Sequence, residues 1–255
     1  MKVVILAGGL GSRLSDETAI RPKPMIEIGN RPILWHIMNH YSHFGFNEFV
    51  LCLGYKGDCI RRYFTESSTY ANDLTVDFHG NREQDCQDSV GPWRVTMVDT
   101  GENTETAGRL LKIRECVGDD TFMMTYGDGV ADVNLGRLVD FHRSHSQIAT
   151  VTAVHPLARF GHLTLDGDLV TTFDEKPQMS RGWINGGFFV LQPEIFDYIP
   201  GDVDWAKEPM ERLADDRQLA AYRHSGFWQC MDTVRDKLYL NALWEAGNPP
   251  WKLWL

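Results

Sequence analysis

The chain has 255 residues, 43% of them hydrophobic, and a formal net charge of −10 at pH 7. That length suits one large α/β domain able to bury roughly 70–75% of its unfolded surface, and the apolar content excludes general disorder. The acidic balance argues against a broad nucleic-acid-binding face. The five cysteines, Cys52, Cys59, Cys86, Cys116 and Cys230, form neither a C-x-x-C nor a zinc pattern and read as reduced thiols. No window approaches a membrane span, and the N-terminal apolar run is too short for a signal peptide, so a cytoplasmic protein is expected.

The first apolar run, Val3 to Leu6, has no alternation and predicts a strand buried on both faces. Ala7 leads into Gly8-Gly9-Leu10-Gly11-Ser12-Arg13. The glycines let backbone N–H groups approach an anion, and Arg13 adds a forked positive charge. A second cation, Lys23, is stiffened by Pro22 and Pro24. Together these predict a polyphosphate site, with a tight turn closing a first βα unit as the plain alternative. The spacing is neither G-x-G-x-x-G nor G-x-x-x-x-G-K-[ST].

Residues 14–20 predict a loop with a helical turn, and Ile26-Glu27-Ile28 a short strand. A helix begins at Pro32, runs through Ile33, Leu34, Ile37, Met38 and Tyr41, and ends at Gly45. A strand over 49–53 and a helix over 56–64 complete a doubly wound α/β pattern. Residues 65–98 predict a small β-rich insertion, with strands at 74–78 and 93–98, near the site or a subunit contact. In the segment 101–112 the threonines can cap a helix, and Gly108 permits close approach by a ligand.

A strand over 121–126 ends in Gly127-Asp128-Gly129, where Asp128 is placed either as a hard oxygen ligand for a metal or as a plain Asp-Gly turn. Further helices are predicted at 134–145, 193–199, 205–219 and 234–245. Strands are predicted at 148–154 and 219–224, and a hairpin turns at 166–168. Phe173-Asp174-Glu175-Lys176-Pro177 is either a ligand contact or a solvated charge cluster. Asn185-Gly186-Gly187 suits backbone packed against a sugar ring. Asp232 precedes the last helix, where capping and metal binding would compete for its oxygens. His36, His40, His43, His142 and His145 lack an orienting acid by spacing and read as surface or packing residues. Trp244, Trp251 and Trp254 give an aromatic tail over 244–255 that folds back or meets another subunit.

The pair of motifs Gly8-Gly9-Leu10-Gly11-Ser12-Arg13-Leu14 and Pro22-Lys23-Pro24-Met25 resembles the signature of the sugar-1-phosphate nucleotidylyltransferases. The resemblance implies a Rossmann-like mixed sheet of the nucleotide-diphospho-sugar transferase type across one domain of 1–255. The spacer from Ser15 to Thr18 and the overall length are most similar to the cytidylyl branch, which implies CTP and glucose 1-phosphate as substrates. It also implies a CDP-sugar product for dideoxysugar synthesis in bacterial surface polysaccharide, the O-antigen of lipopolysaccharide.

On the same resemblance, Leu6, Ala7, Gly8, Gly9, Gly11, Ser12, Arg13, Lys23, Thr104, Gly108 and Arg109 would hold the nucleotide, with Lys23 and Arg13 catalytic. Asp128, Glu175, Lys176, Asn185 and Gly186 would hold the sugar phosphate, and Asp128 with Asp232 would hold Mg²⁺. Ala107 departs from the family's second glycine and is expected to set a methyl beside the base. A trimer or hexamer of identical chains is implied. Transfer from UTP or dTTP is the alternative reaction, and a non-catalytic nucleotide-sugar-binding regulator is the alternative class.

Overall fold

The computed structural model describes residues 1–9, 11, 14–70, 92–156, 162–174 and 182–254. In chain order the elements are β1 (Val3–Leu6), α1 (Ser15–Thr18), β2 (Glu27–Ile28), β3 (Arg31–Pro32), α2 (Ile33–His43), β4 (Glu48–Leu53), α3 (Gly57–Tyr70), β5 (Arg94–Asp99), α4 (Thr106–Lys112) and α5 (Arg114–Val117). There follow β6 (Phe122–Tyr126), β7 (Gly129–Ala131), α6 (Leu135–Arg143), β8 (Ala149–Val154), β9 (His162–Asp166), β10 (Leu169–Asp174), β11 (Ile184–Leu191), α7 (Glu208–Asp215), β12 (Leu219–Arg223), β13 (Trp228–Cys230) and α8 (Val234–Glu245). Short 3-10 turns stand at Lys23–Met25 and Pro193–Tyr198.

Seven strands make the central sheet, in the order β12-β8-β11-β6-β1-β4-β5. β1 pairs in parallel with β4 and β6, and β11 runs antiparallel to both β6 and β8. Because side chains alternate along a strand, β1 feeds two cores. Val3 and Ile5 pack with α2 and α6, whereas Val4 and Leu6 pack with α4, α5 and α7. Helices cover both faces, which is why the strand is apolar throughout rather than alternating. Pro32 caps α2, and Gly45, at φ +83°, ends it with its N–H donating to the Ser42 carbonyl (2.9 Å).

The two ends of the expected 65–98 insertion belong to the central fold. α3 continues to Tyr70, and β5 is an edge strand in register with β4 from Glu48↔Arg94 to Leu53↔Asp99. The strand expected at 74–78 lies outside the described residues. The helix expected at 205–219 is confined to Glu208–Asp215, with Pro209 in its first turn and Arg217 at φ +57° just past its end. Residues 193–198 wind as 3-10 rather than α. β7 and β13, three residues each, pair antiparallel and carry no periodic signal of their own. The tail folds back: Trp251 is fully buried, stacks on Phe227 at 5.6 Å and donates its indole N–H to Nδ1 of His36 (3.4 Å). Among the described residues no helix is long and apolar enough to cross a membrane.

Candidate active site

The carboxyl ends of β1 and β6 open onto a cavity of about 490 Å³, the position at which open α/β sheets bind ligands. Leu6, Ala7, Gly8, Gly9 and Gly11 line one side, Thr104 and Arg109 another, and Lys23, Tyr126 and Asp128 the floor. Ser12, Arg13, Glu175 and Lys176 lie outside the described residues.

Lys23 projects from its 3-10 turn between two carboxylates. Its Nζ stands 2.6 Å from Asp128 Oδ2 and 2.5 Å from Asp232 Oδ1. Burial disfavours the ammonium charge, but Asp128 and Asp232 outweigh it and hold the Lys23 pKa above the ordinary lysine value. The carboxylates, 104 positions apart in sequence, are joined through backbone. β13 pairs with β7 up to Cys230↔Gly129, and the Met231 N–H donates to the Asp128 carbonyl (2.8 Å).

Asp232 does not cap α8. Thr233 does, in a reciprocal box with Asp236, whose Oδ2 also accepts the Asp232 N–H (3.1 Å). The competition expected for the Asp232 oxygens is therefore relieved by its neighbour. Cys230 Sγ lies 3.7 Å from Asp232 Oδ2, and burial together with Asp232 and Asp128 pushes its thiol pKa up to about 12.

Two carboxylates meeting at one point supply hard oxygen donors. Mg²⁺ at nucleotide sites takes one or two carboxylates and completes its shell with phosphates and water, so Asp128 and Asp232 fit it. No third His, Cys, Asp or Glu joins them in a metal-binding group among the described residues.

Arg109 is the largest departure from the expected site. It is 3% exposed. Its Nη1 donates to the Leu53 carbonyl (3.3 Å), Thr100 Oγ1 (2.7 Å) and the Gly101 carbonyl (2.7 Å), and its Nη2 to the carbonyls of Gly8 (3.0 Å) and Glu102 (3.2 Å). The guanidinium ties the glycine loop to the ends of β4 and β5. Gly8 is a glycine for that reason: a Cβ there would stand 2.2 Å from Arg109 Nη1. Gly108 does not line the cavity; its missing Cβ makes room for Asp202 Oδ1, which would lie 2.0 Å away. Ala107 is fully buried in the core and does not line the cavity. Nor do the threonines cap α4: Glu105 is its N-cap, and the Glu105 N–H finds Asp202 Oδ1 at 2.8 Å.

On the opposite side, Asn185 and Gly186 sit behind the cavity wall. Asn185 Oδ1 accepts the Gly187 N–H (2.8 Å), and its side chain hydrogen-bonds the buried Tyr126 hydroxyl, whose pKa burial raises. The Gly186 carbonyl accepts the Trp228 indole N–H (2.7 Å). Gly187, at φ +80°, admits the Tyr126 ring, which a Cβ would approach to 2.7 Å. Sequence reasoning missed Tyr126, which ends β6 close to Asp128, and also Glu102, Asn103 and Thr106, which line the cavity near Thr104. The strand-end position of Tyr126 was the available signal.

The family model described as Nucleotidyl transferase matches residues 2–245. A glucose-1-phosphate cytidylyltransferase from Salmonella typhi is 50% identical over 256 residues, covering 100% of both chains. A probable glucose-1-phosphate cytidylyltransferase from Bacillus subtilis is 45% identical, again over 100% of both. Among solved structures, a UTP-bound UGPase from Acinetobacter baumannii superimposes with a TM-score of 0.71 at 19% identity, covering 98% of this chain and 95% of the other. That last likeness concerns the fold.

Proposed function

The chain belongs to the nucleotidyl transferase family, and from that premise we propose that it transfers a cytidylyl group from CTP to α-D-glucose 1-phosphate, giving CDP-glucose and pyrophosphate. The observation that carries this reading is the convergence of Asp128 and Asp232 on Lys23, with Lys23 and Asp128 lining a glycine-walled cavity, in a chain alike from end to end to cytidylyltransferases.

An oxygen of the sugar phosphate attacks the α-phosphorus of CTP, and the bond to the oxygen bridging the α- and β-phosphates breaks on the opposite side. The attacking phosphate is already anionic, so no general base is needed. The obstacle is charge, since two anions must meet in line. Lys23 neutralises the α-phosphoryl group as negative charge builds there. The N–H groups of Gly8, Gly9 and Gly11 face the remaining phosphates, where Arg13 is assigned to the β- and γ-phosphates. Arg109 holds that loop in place and so contributes orientation. Mg²⁺ held by Asp128 and Asp232 would supply further charge neutralisation at the phosphate oxygens. Tyr126 and Asn185 shape the sugar side, with Glu175 and Lys176 assigned to the sugar hydroxyls and phosphate.

The resemblance carries three further assignments into this reading: a homo-oligomer of three or six chains, a cytoplasmic location, and a product destined for dideoxysugars of surface polysaccharide. The test of the central assignment is pyrophosphate release with glucose 1-phosphate and each of CTP, UTP and dTTP in turn. Preference for UTP or dTTP over CTP would overturn the choice of base. Absence of turnover with all three would overturn the activity.

A further inference from the structure

The two carboxylates that suit a divalent cation are already occupied by a cation of the chain's own. Lys23 Nζ bonds both of them, at 2.6 and 2.5 Å, with its side chain 14% exposed. Neither carboxylate can easily move away from the other. The Met231 N–H to Asp128 carbonyl bond and the β7–β13 pairing carry them on joined backbone. Asp236 fixes the backbone of Asp232 from the α8 side.

Lys23 is equally confined at its root. A Cβ on Gly11 would stand 3.1 Å from Lys23 Cβ and 3.7 Å from its Cδ, and Pro24 Cγ would lie 2.9 Å from a Cβ on Gly127. The free part of the residue is its ammonium, on a stem of rotatable bonds. Two carboxylates that both bond one ammonium stand close enough to repel each other unless a positive charge lies between them.

We propose that Lys23 is the resident counter-ion of the Asp128–Asp232 pair in the free protein, and that it stands where the divalent cation is to go. The cation then enters with the nucleotide, whose phosphates give the ammonium another anion to bond as it leaves the carboxylates. The exchange keeps the pair compensated before and during turnover. Its consequence is that free protein binds the divalent cation poorly, while nucleotide and cation each strengthen the binding of the other, as linkage requires. The nucleotide half of this inference rests on the transferase reading; the cation half does not.

The test is Mn²⁺ binding followed by the electron paramagnetic resonance of the free ion, with no substrate present. Lys23→Met keeps the stem and removes the charge, and should bind Mn²⁺ about tenfold or more tightly than the parent chain, a factor worth about 1.4 kcal/mol. Lys23→Arg keeps the charge and should stay as weak as the parent. Asp232→Asn added to Lys23→Met should abolish the gain.

A second arm adds a non-hydrolysable CTP analogue to the parent chain, which should then bind Mn²⁺ more tightly than without it. Parent and Lys23→Met affinities within about twofold would overturn the proposal. So would Lys23→Arg binding as tightly as Lys23→Met. Should Lys23→Met fail to fold, as judged by its circular dichroism, Lys23→Gln takes its place in the same comparison, with the same result overturning the proposal. If the charge series behaves as expected and the CTP analogue has no effect, the counter-ion role stands and the nucleotide assignment falls.

Discussion

Arg109 offers the sharpest separation between a ligand contact and a structural role. Its guanidinium spends its donors on four backbone carbonyls and one hydroxyl, in a place that is 3% exposed. Truncation to alanine would strand several of those acceptors away from water. Each buried polar group left without a partner costs about 1–3 kcal/mol, and the costs do not add in full because water enters part of the space. A loss of roughly 3–5 kcal/mol is the expectation, comparable to breaking a buried charged network. For a chain of this size that corresponds to a melting temperature lower by roughly 10 °C.

The measurement is thermal unfolding of Arg109→Ala without nucleotide, followed by circular dichroism. Arg109→Lys should recover part of the loss, since one ammonium can reach some but not all of the same acceptors. A second readout is kinetic: the KM for the nucleotide should rise as the glycine loop loosens. Were Arg109 purely a nucleotide ligand, the nucleotide-free protein would melt within about 2 °C of the parent, and that result would refute the clasp. Gly8→Ala should reproduce the phenotype from the other side, because its Cβ would displace the guanidinium.

Further expectations concern the elements around this centre. Lys23→Ala should lower kcat by about 10²–10³, measured as pyrophosphate release. Asp236→Ala removes the acceptor for four donors, the Asp232 N–H, the Thr233 N–H, the Thr233 hydroxyl and the Gln229 side-chain amide. It should cost about 1–2 kcal/mol of stability and also lower kcat, whereas Thr233→Ala, which leaves the Asp232 bond in place, should affect stability alone. Trp251→Ala empties a fully buried site and should destabilise by about 3–5 kcal/mol in a urea titration.

Burial holds the pKa values of His36 and His40 at about 4, below the ordinary 6.5. The unfolded chain therefore takes up protons that the folded chain refuses between pH 6.5 and 4. Stability should be full above pH 6.5 and fall on acidification through that window, by up to about 1.4 kcal/mol per pH unit for each histidine. A melting temperature flat from pH 7 to pH 4.5 would contradict this.

What the sequence made legible follows from where the physical signal is local. β1 was readable because a strand covered on both faces must be apolar at every position, and α2 because Ile33, Leu34, Ile37, Met38 and Tyr41 recur at helical spacing along one buried face. β7 and β13 were not readable. Three residues carry no period, and their pairing depends on a contact between positions near 130 and 229 that only the closed fold creates. That short ribbon brings Asp232 to Asp128, so the floor of the site was named from resemblance rather than from spacing.

The glycines show the same boundary in another form. A glycine announces that something passes close to the backbone, but not what. Gly8 is expected to leave room for a phosphate, and its missing Cβ also leaves room for Arg109; Gly108 is expected to leave room for a ligand, and its missing Cβ leaves room for Asp202. The missing Cβ is encoded in one residue, and the identity of the visitor in another one as many as 101 positions away. Lys23 sharpens the point. Its prolines fixed the backbone and its charge fixed the kind of partner, yet in the structure that charge is spent on two carboxylates before any phosphate arrives. A cation in a phosphate motif must be compensated in the free protein as well as in the complex, and the acids that do so need not lie near it in sequence.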